Sequence, residues 1–467
     1  MPTILHRHRP RLARELKEML RLAVPLVLGQ LSAIGMNLID ALLAGHLDAH
    51  TLGAVAVGAS VWSLAIVAAI GVMMALPPSV AQLAGAGRRE AIGPLFRQAV
   101  WLALVLGLVL GVAVHVGGAL LVARIGIDAA LVPDVIRFLH AVAWGAPALA
   151  LFFTLRGLGE GIGLTRPTMY FSILGLVLLG PIGYVFMYGR LGLPSLGAQG
   201  SGMATALVLW LEMIAFALYV ARSRHYRDLD LLARWERPNP RALAELLRIG
   251  VPMGVTLFME ASLFVAVALV IGTLGTDVVA GHQVALNVAS VSFMVPLGLA
   301  MATTVRVGHA VGRGDAQGVR DAGLVGIGLT LLAQAVSAGA MLLLPRPIAM
   351  LYTEDAAVVA LAAQLLVLAG LFQFSDGIQV AANGALRGLK DTRIPMLITT
   401  FAYWGVGMPV GWWLAFPHGL GARGMWMGLI AGLSMAAVLL SWRFWKLARR
   451  PLPGGAPGVG APPPAFH

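Results

Sequence analysis

The chain has 467 residues, of which 59% are hydrophobic and 12% charged, and this composition excludes a soluble protein, which carries about twice that charged fraction. The net charge of +12 would suggest nucleic acid in a soluble protein, but here the basic residues lie where membrane topology requires them, so no nucleic-acid partner is predicted. Cysteine is absent, which excludes disulfides and thiolate metal sites.

The predicted elements begin with a basic segment, MPTILHRHRPRLARELKEML, which lacks the cleavage site of a signal peptide and predicts an amphipathic helix leading into the first span. About 20 apolar residues are enough to cross the hydrocarbon core as a helix, and twelve such segments follow. They lie near residues 22–44, 54–77, 95–117, 138–160, 168–188, 198–221, 249–271, 282–305, 322–344, 361–385, 396–416 and 421–442. The last segment, 446–467, is rich in Pro and Gly and predicts a disordered tail.

Lysine and arginine set the predicted orientation of the spans. Of the 33 basic residues, 28 lie in the termini, in the loops after even-numbered spans or at the ends of those loops. By the positive-inside rule, both termini are predicted to be cytoplasmic. The loops after odd-numbered spans hold the other five: Arg124, Arg137, Arg190, Arg346 and Arg423.

A long basic segment, 221–248, divides the chain into two halves of six spans each. Adding 227 to a position in the first half repeatedly returns the same residue type, which indicates an internal repeat. Because six is even, both halves insert with one orientation, and their symmetry axis runs along the membrane normal. The matching pairs include Arg21 and Arg248, Pro25 and Pro252, Gly71 and Gly298, Gly85 and Gly312, and Gly161 and Gly388.

The sequence therefore predicts an all-α integral membrane protein with twelve transmembrane helices in two six-helix lobes related by a pseudo-two-fold axis. The predicted parts are an N-lobe (1–220), an interlobe loop (221–248), a C-lobe (249–445) and the tail (446–467). Transporters built from parallel repeats hold their substrate between the lobes and alternate access by rocking them. A membrane enzyme or a scaffold could also carry such a repeat.

Three carboxylates lie deep in the apolar spans, and each corresponds to an apolar residue in the other half: Asp40, Glu260 and Asp376. A carboxylate at this depth costs at least about 2.5 kcal/mol, which a cation, a proton or a partner usually offsets. Nearby hydroxyl and amide side chains suit Na⁺ or a proton, so Glu260 and Asp376 are predicted to form a cation-coupling site. The simpler alternative is that each carboxylate only hydrogen-bonds within the bundle. Asp40 could also be the counter-charge for a cationic substrate. The neighbouring polar residues are Asn37, Thr256, Ser262, Gln373, Gln379 and Asn383.

The other charged residues near the spans are interpreted as structural. Glu212 lies near the cytoplasmic end of span 6 with Arg222 further along the helix, and Glu160 sits at a span end beside Arg156, which predicts an interfacial ion pair. Arg387 is assigned to a short charged loop after span 10. No glycine-rich stretch has the setting of a phosphate-binding loop, so neither ATP-driven transport nor a cofactor is expected.

Three stretches resemble the multidrug and toxic compound extrusion (MATE) family, in its NorM-like bacterial branch. They are PLVLGQLSAIGMNLIDALLAGHL, GHQVALNVASVSFMVPLGLAMATTVRVGHAVG and FQFSDGIQVAANGALRGLKDTRIPM, and the resemblance covers about residues 15 to 445. It implies a monomeric antiporter of the bacterial inner membrane that exports organic cations against inward H⁺ or Na⁺.

The resemblance also implies roles for single residues. Glu260 and Asp376 would bind the coupling cation, with Asp40 as a further cation site. The residues implied to line the drug pocket are Asp40, Ser60, Gln283 and Asp355. Span 5, FSILGLVLLGPIGYVFMYG, departs from the family because it has no carboxylate or amide, which weakens a Na⁺ site in the N-lobe.

Two alternatives to antiport of organic cations stay open. A flippase of lipid-linked precursors in the same broader superfamily would need several basic residues facing the central cavity, and the spans have almost none. A membrane enzyme would need a His/Asp or Ser/His cluster at membrane depth, and the deep carboxylates have no such partners.

Overall fold

The computed structural model describes residues 2–124, 126–231 and 236–451, with side chains from residue 11 onward apart from that of residue 68. All regular secondary structure within these ranges is helical. The N-lobe contains α1 (Pro2–Leu47), α2 (Ala49–Met73), α3 (Leu76–Gly85), α4 (Ile92–Val112), α5 (Ala119–Val122), α6 (Val132–Ala143), α7 (Ala146–Gly161), α8 (Arg166–Tyr188) and α9 (Gly197–Arg222). The C-lobe contains α10 (Pro240–Gly272), α11 (Thr276–Gly312), α12 (Ala316–Leu343), α13 (Pro345–Met350), α14 (Ala356–Gly388), α15 (Arg393–Thr400), α16 (Met408–Ala415) and α17 (Ala422–Ala448).

The predicted twelve spans are confirmed in the described part of the chain. Eleven helical segments are long and apolar enough to cross a membrane, one of them formed by α15 and α16 with the π-helical stretch Phe401–Gly407 between them. Helix α6 with α7 makes a twelfth span, which bends by 45°. Pro147 lies in the first turn of α7, and Gly145 stands at the break because a Cβ there would meet the side chain of Leu209. The indole of Trp210 donates to the carbonyl of Trp144 at the same break (3.0 Å). The carbonyl of Trp144 therefore has a hydrogen-bond partner at the bend.

Two predicted boundaries differ from the structure. Helix α10 begins at Pro240, inside the segment predicted as the interlobe loop, because the Asn239 side chain accepts from the backbone N–H of Arg241 (3.0 Å) and Pro240 opens the first turn. Helix α17 continues to Ala448, three residues into the predicted tail. Residues 452–467 of that tail lie outside the described ranges.

The first helix of each lobe crosses onto the other lobe. Four residues of α1 pack in the hydrophobic core of the C-lobe, and three residues of α10, each with a counterpart among those four, pack in a core of the N-lobe. The numbers of the paired residues differ by 227 in each case, so the crossing is reciprocal. The pairs are Met19 and Leu246, Leu22 and Ile249, and Leu26 and Met253.

Hydrogen bonds between the lobes follow the same symmetry. The Gln82 amide donates to the carbonyl of Gly388 (2.9 Å), and His309 Nε2 donates to the carbonyl of Gly161 (2.7 Å). Gln82 and His309 differ by 227 in number, as do Gly161 and Gly388. The pseudo-two-fold predicted from the repeat is therefore present in the contacts between the lobes.

These bonds lie on one side of the molecule, here called the basic face, where α9 ends and α10 begins. Ion pairs also join the lobes on the same side, among them Arg306 with Glu15 (2.5 Å) and Arg11 with Asp315 (2.5 Å). The other side, where α1 ends and α2 begins, is here called the opposite face. The two lobes are thus held together at the basic face.

Asp48 starts α2 at the opposite face. Its carboxylate accepts from the backbone N–H of Thr51 (2.6 Å) and from the Thr51 hydroxyl (2.9 Å). These hydrogen bonds, the backbone one first, lower the pKa of Asp48 below its ordinary value. Because the folded pKa is depressed, the stability that the cap contributes is present above the unfolded pKa of about 3.9 and is lost as the pH falls.

Replacing Asp48→Ala is therefore expected to destabilise the protein by about 1 kcal/mol, the ordinary value of an N-cap. Thermal unfolding in detergent at pH 7 and pH 3.5 measures it. The loss should be larger at pH 7, while Asp48→Asn, which keeps an acceptor oxygen, should unfold close to the wild-type temperature at pH 7. An equal loss in both variants would show that the capping oxygen is not what matters.

Candidate functional site

A cavity with a volume of about 640 Å³ lies between the two lobes. Its walls come mainly from α1, α2 and α7 of the N-lobe and from α10, α11 and α14 of the C-lobe. Most of the wall is apolar and carries flexible thioethers and aromatic rings, which adapt to differently shaped ligands. These side chains are Met73, Met74, Met253, Met294, Met301, Phe153, Phe264, Phe293, Phe372 and Trp426.

The charged residues of this wall come from both lobes. Among the described lining residues they are Arg156, Glu160, Glu260, Asp376 and Arg387. Three carboxylates thus face two guanidinium groups, and with all five ionised the wall carries a single net negative charge. A low-dielectric pocket with one excess negative charge favours a ligand with one positive charge.

The structure brings the predicted pair Glu260 and Asp376 together. Both line the cavity and lie close enough to interact electrostatically. Asp376 is 3% exposed, and one of its oxygens has no hydrogen-bond partner among the described residues. Gln379, one turn further along α14, is also buried with both polar atoms unpaired. Several groups that can bind a cation are therefore left unsatisfied.

Three of the other polar neighbours predicted for this pair, Gln373, Thr256 and Ser262, are engaged elsewhere. The Gln334 amide donates to the side-chain oxygen of Gln373 (2.5 Å). The hydroxyls of Thr256 and Ser262 donate to carbonyls of their own helix (2.9 Å each). Within the described residues, Gln379 is the predicted neighbour whose polar side-chain atoms are both buried without a hydrogen-bond partner.

Asp40 lies apart from this pair. It is not among the residues that line the cavity, and its two oxygens accept from Ser201 (3.1 Å) and Thr205 (3.2 Å) of α9. Helix α8, which corresponds to span 5, contributes no carboxylate or amide, as the sequence requires. The structure therefore places Asp40 in a small polar site inside the N-lobe, and its role stays a prediction.

Ser60 and Gln283 are exposed and lie beyond the cavity lining. Each lies two helical turns from a lining residue, Ser60 before Val67 on α2 and Gln283 before Ser290 on α11, and therefore on the same helix face. On both helices the direction from the cavity to these residues points to the opposite face. Ser60 and Gln283 therefore lie toward the opposite face on the helix faces that line the cavity, and their implied contact with a drug stays a prediction.

Asp355 is not brought to the cavity. It is exposed and caps α14, where its carboxylate accepts from the backbone N–H groups of Ala357 (2.8 Å) and Val358 (3.1 Å). The structure thus explains this side chain as an N-cap at the opposite face, and its implied contact with a drug stays a prediction.

The interpretation of Glu160 and Arg156 as an interfacial pair is wrong. Arg156 Nε lies 2.6 Å from a Glu160 oxygen, and both side chains are buried in the cavity wall. Burial follows from close packing of α7, since a Cβ at Gly157 would contact Pro77 (3.1 Å) and one at Gly161 would overlap Val80. Sequence reasoning treated the end of the span as the end of the buried region.

Glu212 is buried within its lobe, and Arg387 differs from its sequence interpretation. Glu212 is buried against Gly175, one of its oxygens has no hydrogen-bond partner among the described residues, and Arg222 is exposed. Arg387 belongs to the last turn of α14 and not to the following loop; it is 4% exposed and lines the cavity.

The internal repeat contains a sequence signal that identifies Arg387 as a candidate site residue. Adding 227 to Glu160 gives Arg387, and adding 227 to Arg156 gives Asn383. A carboxylate in one lobe is therefore replaced by a guanidinium in the other. The comparison that selected the three deep carboxylates identifies Arg387 as well once basic residues are included.

A family model described as MatE matches the chain twice, over residues 25–185 and 252–413. The two matches begin 227 residues apart, in the register of the repeat. The chain is 50% identical over 449 residues to a probable multidrug resistance protein NorM of Xanthomonas campestris, covering 96% of this chain and 98% of that protein. It is 43% identical over 444 residues to the multidrug resistance protein PmpM of Pseudomonas aeruginosa, covering 94% and 93%.

Solved structures share the fold. An outward-facing multidrug resistance MATE family transporter superposes with a TM-score of 0.86 at 21% identity, over 93% of this chain and 96% of that chain. A eukaryotic MATE transporter gives 0.83 at 22% identity, over 94% and 98%. At these identities the likeness concerns the fold alone.

Proposed function

The chain belongs to the MatE family, and on that premise we propose that it is a multidrug efflux transporter that exports organic cations in exchange for inward H⁺ or Na⁺. One observation carries the proposal: a large apolar cavity between the lobes brings together the buried Asp376 and the half-buried Glu260, and its wall has one more carboxylate than guanidinium groups. Organic cations match both the apolar wall and the charge.

The basic face is cytoplasmic in this proposal, in line with the positive-inside rule, and the membrane is the bacterial inner membrane. The conformation described above is then the outward-open state, closed at the cytoplasm and open outside. A single coupling cation taken up at Glu260 and Asp376 removes the net charge of the cavity. The organic cation loses its electrostatic attraction and leaves to the outside.

Closure of the opposite face and opening of the basic face then deliver the coupling cation to the cytoplasm. This step requires the inter-lobe contacts at the basic face to break, among them the bonds from Gln82 and His309. Each costs little to exchange for water, because a hydrogen bond contributes only about 1 kcal/mol net. Hydrogen bonds this weak can break and form again in every transport cycle.

We favour H⁺ over Na⁺ as the coupling ion. A proton needs one free carboxylate oxygen, which Asp376 has, whereas Na⁺ needs a shell of several oxygens. Near Asp376 the described residues leave three buried oxygens without a partner: Asp376 Oδ1, Gln379 Oε1 and the Tyr403 hydroxyl. The cavity charge also argues against the flippase alternative, since guanidinium groups do not outnumber carboxylates in the described wall.

The test is ethidium efflux from proteoliposomes with an inward H⁺ gradient, an inward Na⁺ gradient or no gradient. Efflux should follow one gradient in the wild type and should fall to the level of empty vesicles in Asp376→Asn. Asp277→Asn is the matched control, because Asp277 is an exposed acidic residue in the first turn of α11 outside the cavity. Folded wild-type protein that gives no gradient-driven efflux would exclude the antiport proposal.

A further inference from the structure

We propose that Arg387 is the resident counter-ion of Glu260 and Asp376 and makes the cavity selective for organic cations with one charge over those with two. This inference rests on the proposed function and specifies its substrate class. Arg387 acts here through the charge of the cavity, as a residue that determines specificity.

The position of Arg387 is fixed by the way α14 ends. A Cβ on Gly388 would lie 2.7 Å from the carbonyl of Thr304, so α14 and α11 are in close backbone contact there. The Gly388 carbonyl is bonded by Gln82 of the other lobe, and the Thr304 hydroxyl lies 2.8 Å from the carbonyl of Gly384. With its helix enclosed in this way, the Arg387 side chain is held in the cavity wall.

Arg387 lacks the partner that the other cavity arginine has. Arg156 is bonded to Glu160 on its own helix (2.6 Å) and to Gln30 (3.2 Å). In the described part of the chain, Arg387 has no carboxylate within 4 Å, and its Nε is buried without a hydrogen-bond partner. In the repeat, Arg387 occupies the position of Glu160, and Asn383 occupies the position of Arg156. The ion pair within α7 therefore has no counterpart within α14.

The electrostatic partner of Arg387 is Glu260, which interacts with both Arg387 and Asp376. Tyr403 completes the group: its buried hydroxyl has no partner among the described residues and lies near all three charges. Two carboxylates and one guanidinium therefore share one site in the cavity wall. The Arg156–Glu160 pair is neutral by itself, so this group sets the net charge of the cavity.

Removing the guanidinium would leave the cavity with two excess negative charges. A buried excess charge is costly whichever sign it has, so the wild-type cavity should reject a second positive charge on the ligand. A cavity without Arg387 should accept it. The physical consequence is a change in preference between ligands of one and two charges, and not only a change in affinity.

Ethidium and propidium test this, because they share one planar ring system and carry one and two positive charges. Fluorescence anisotropy with purified protein in detergent gives both Kd values for each variant. In Arg387→Met the ratio of the two affinities should move toward propidium by about tenfold, the order expected for one added charge at this depth. Arg387→Lys should keep the wild-type ratio, and so should the double variant Glu260→Gln, Arg387→Met, which restores the net charge.

Arg393→Met is the matched control, since Arg393 is exposed six residues further on and lies outside the cavity. Arg387→Gln provides a second neutral variant if Arg387→Met does not fold. An unchanged ratio in folded neutral variants would overturn the inference while leaving the proposed function intact. Wild-type protein that binds neither dye would instead overturn the proposed function, and the inference with it.

Discussion

Replacing Gly71→Val is expected to abolish gradient-driven efflux by preventing closure of the basic face. A Cβ at Gly71 of α2 would overlap the backbone of Gly254 on α10, in the other lobe. Backbone atoms cannot rotate away as a flexible side chain can, so the two helices must separate. Small residues at such crossings are what permits close approach of membrane helices. The conformation that is closed at the basic face needs this contact, so Gly71→Val should prevent that conformation from forming.

Pulsed electron paramagnetic resonance measures the closure directly. The natural chain has no cysteine, so cysteines introduced at the exposed residues Arg88 and Arg313 place one spin label on each lobe at the basic face. The distance between the labels should increase in Gly71→Val. Gly180→Val is the control, because a Cβ at Gly180 meets nothing within 4 Å. Normal efflux with an unchanged distance distribution in Gly71→Val would refute the prediction.

Many of the inter-lobe contacts that close the basic face can be predicted from the repeat in the sequence. Gly71 corresponds to Gly298, where a Cβ would overlap Val27 of the N-lobe. Val27 in turn corresponds to Gly254, so the two crossings are the same contact seen from each lobe. A register of 227 residues thus predicts the interface between the lobes, because symmetric helices must meet through symmetric positions.

The charges of the site were harder to predict, for a physical reason. Arg387 is followed closely by Lys390 and Asp391, and a charged stretch of this kind is typical of a loop at the membrane surface. The helix continues to Gly388 because Gln82, more than 300 residues away in sequence, satisfies its terminal carbonyl. No local pattern contains that information. The carboxylates were found because their cost at membrane depth is independent of their partners.

Replacing Glu160→Gln is expected to destabilise the protein by about 3–5 kcal/mol, the cost of leaving a buried charge without its partner. Arg156 would retain contacts to Gln30 (3.2 Å) and to the sulfur of Met301 (3.4 Å) but would lose the carboxylate at 2.6 Å. The same change removes the net negative charge of the cavity, so ethidium binding should weaken as well. Thermal unfolding and ethidium titration in detergent measure the two effects.

The double variant Arg156→Met, Glu160→Met separates stability from charge. Replacing a buried ion pair by apolar side chains of similar volume is often neutral or stabilising, so the double variant should unfold near the wild-type temperature. It also keeps one excess negative charge in the cavity, supplied by Glu260, Asp376 and Arg387, and should bind ethidium as the wild type does. If the double variant is stable but does not bind ethidium, the pair contacts the ligand itself, and the net charge of the cavity is not sufficient for binding.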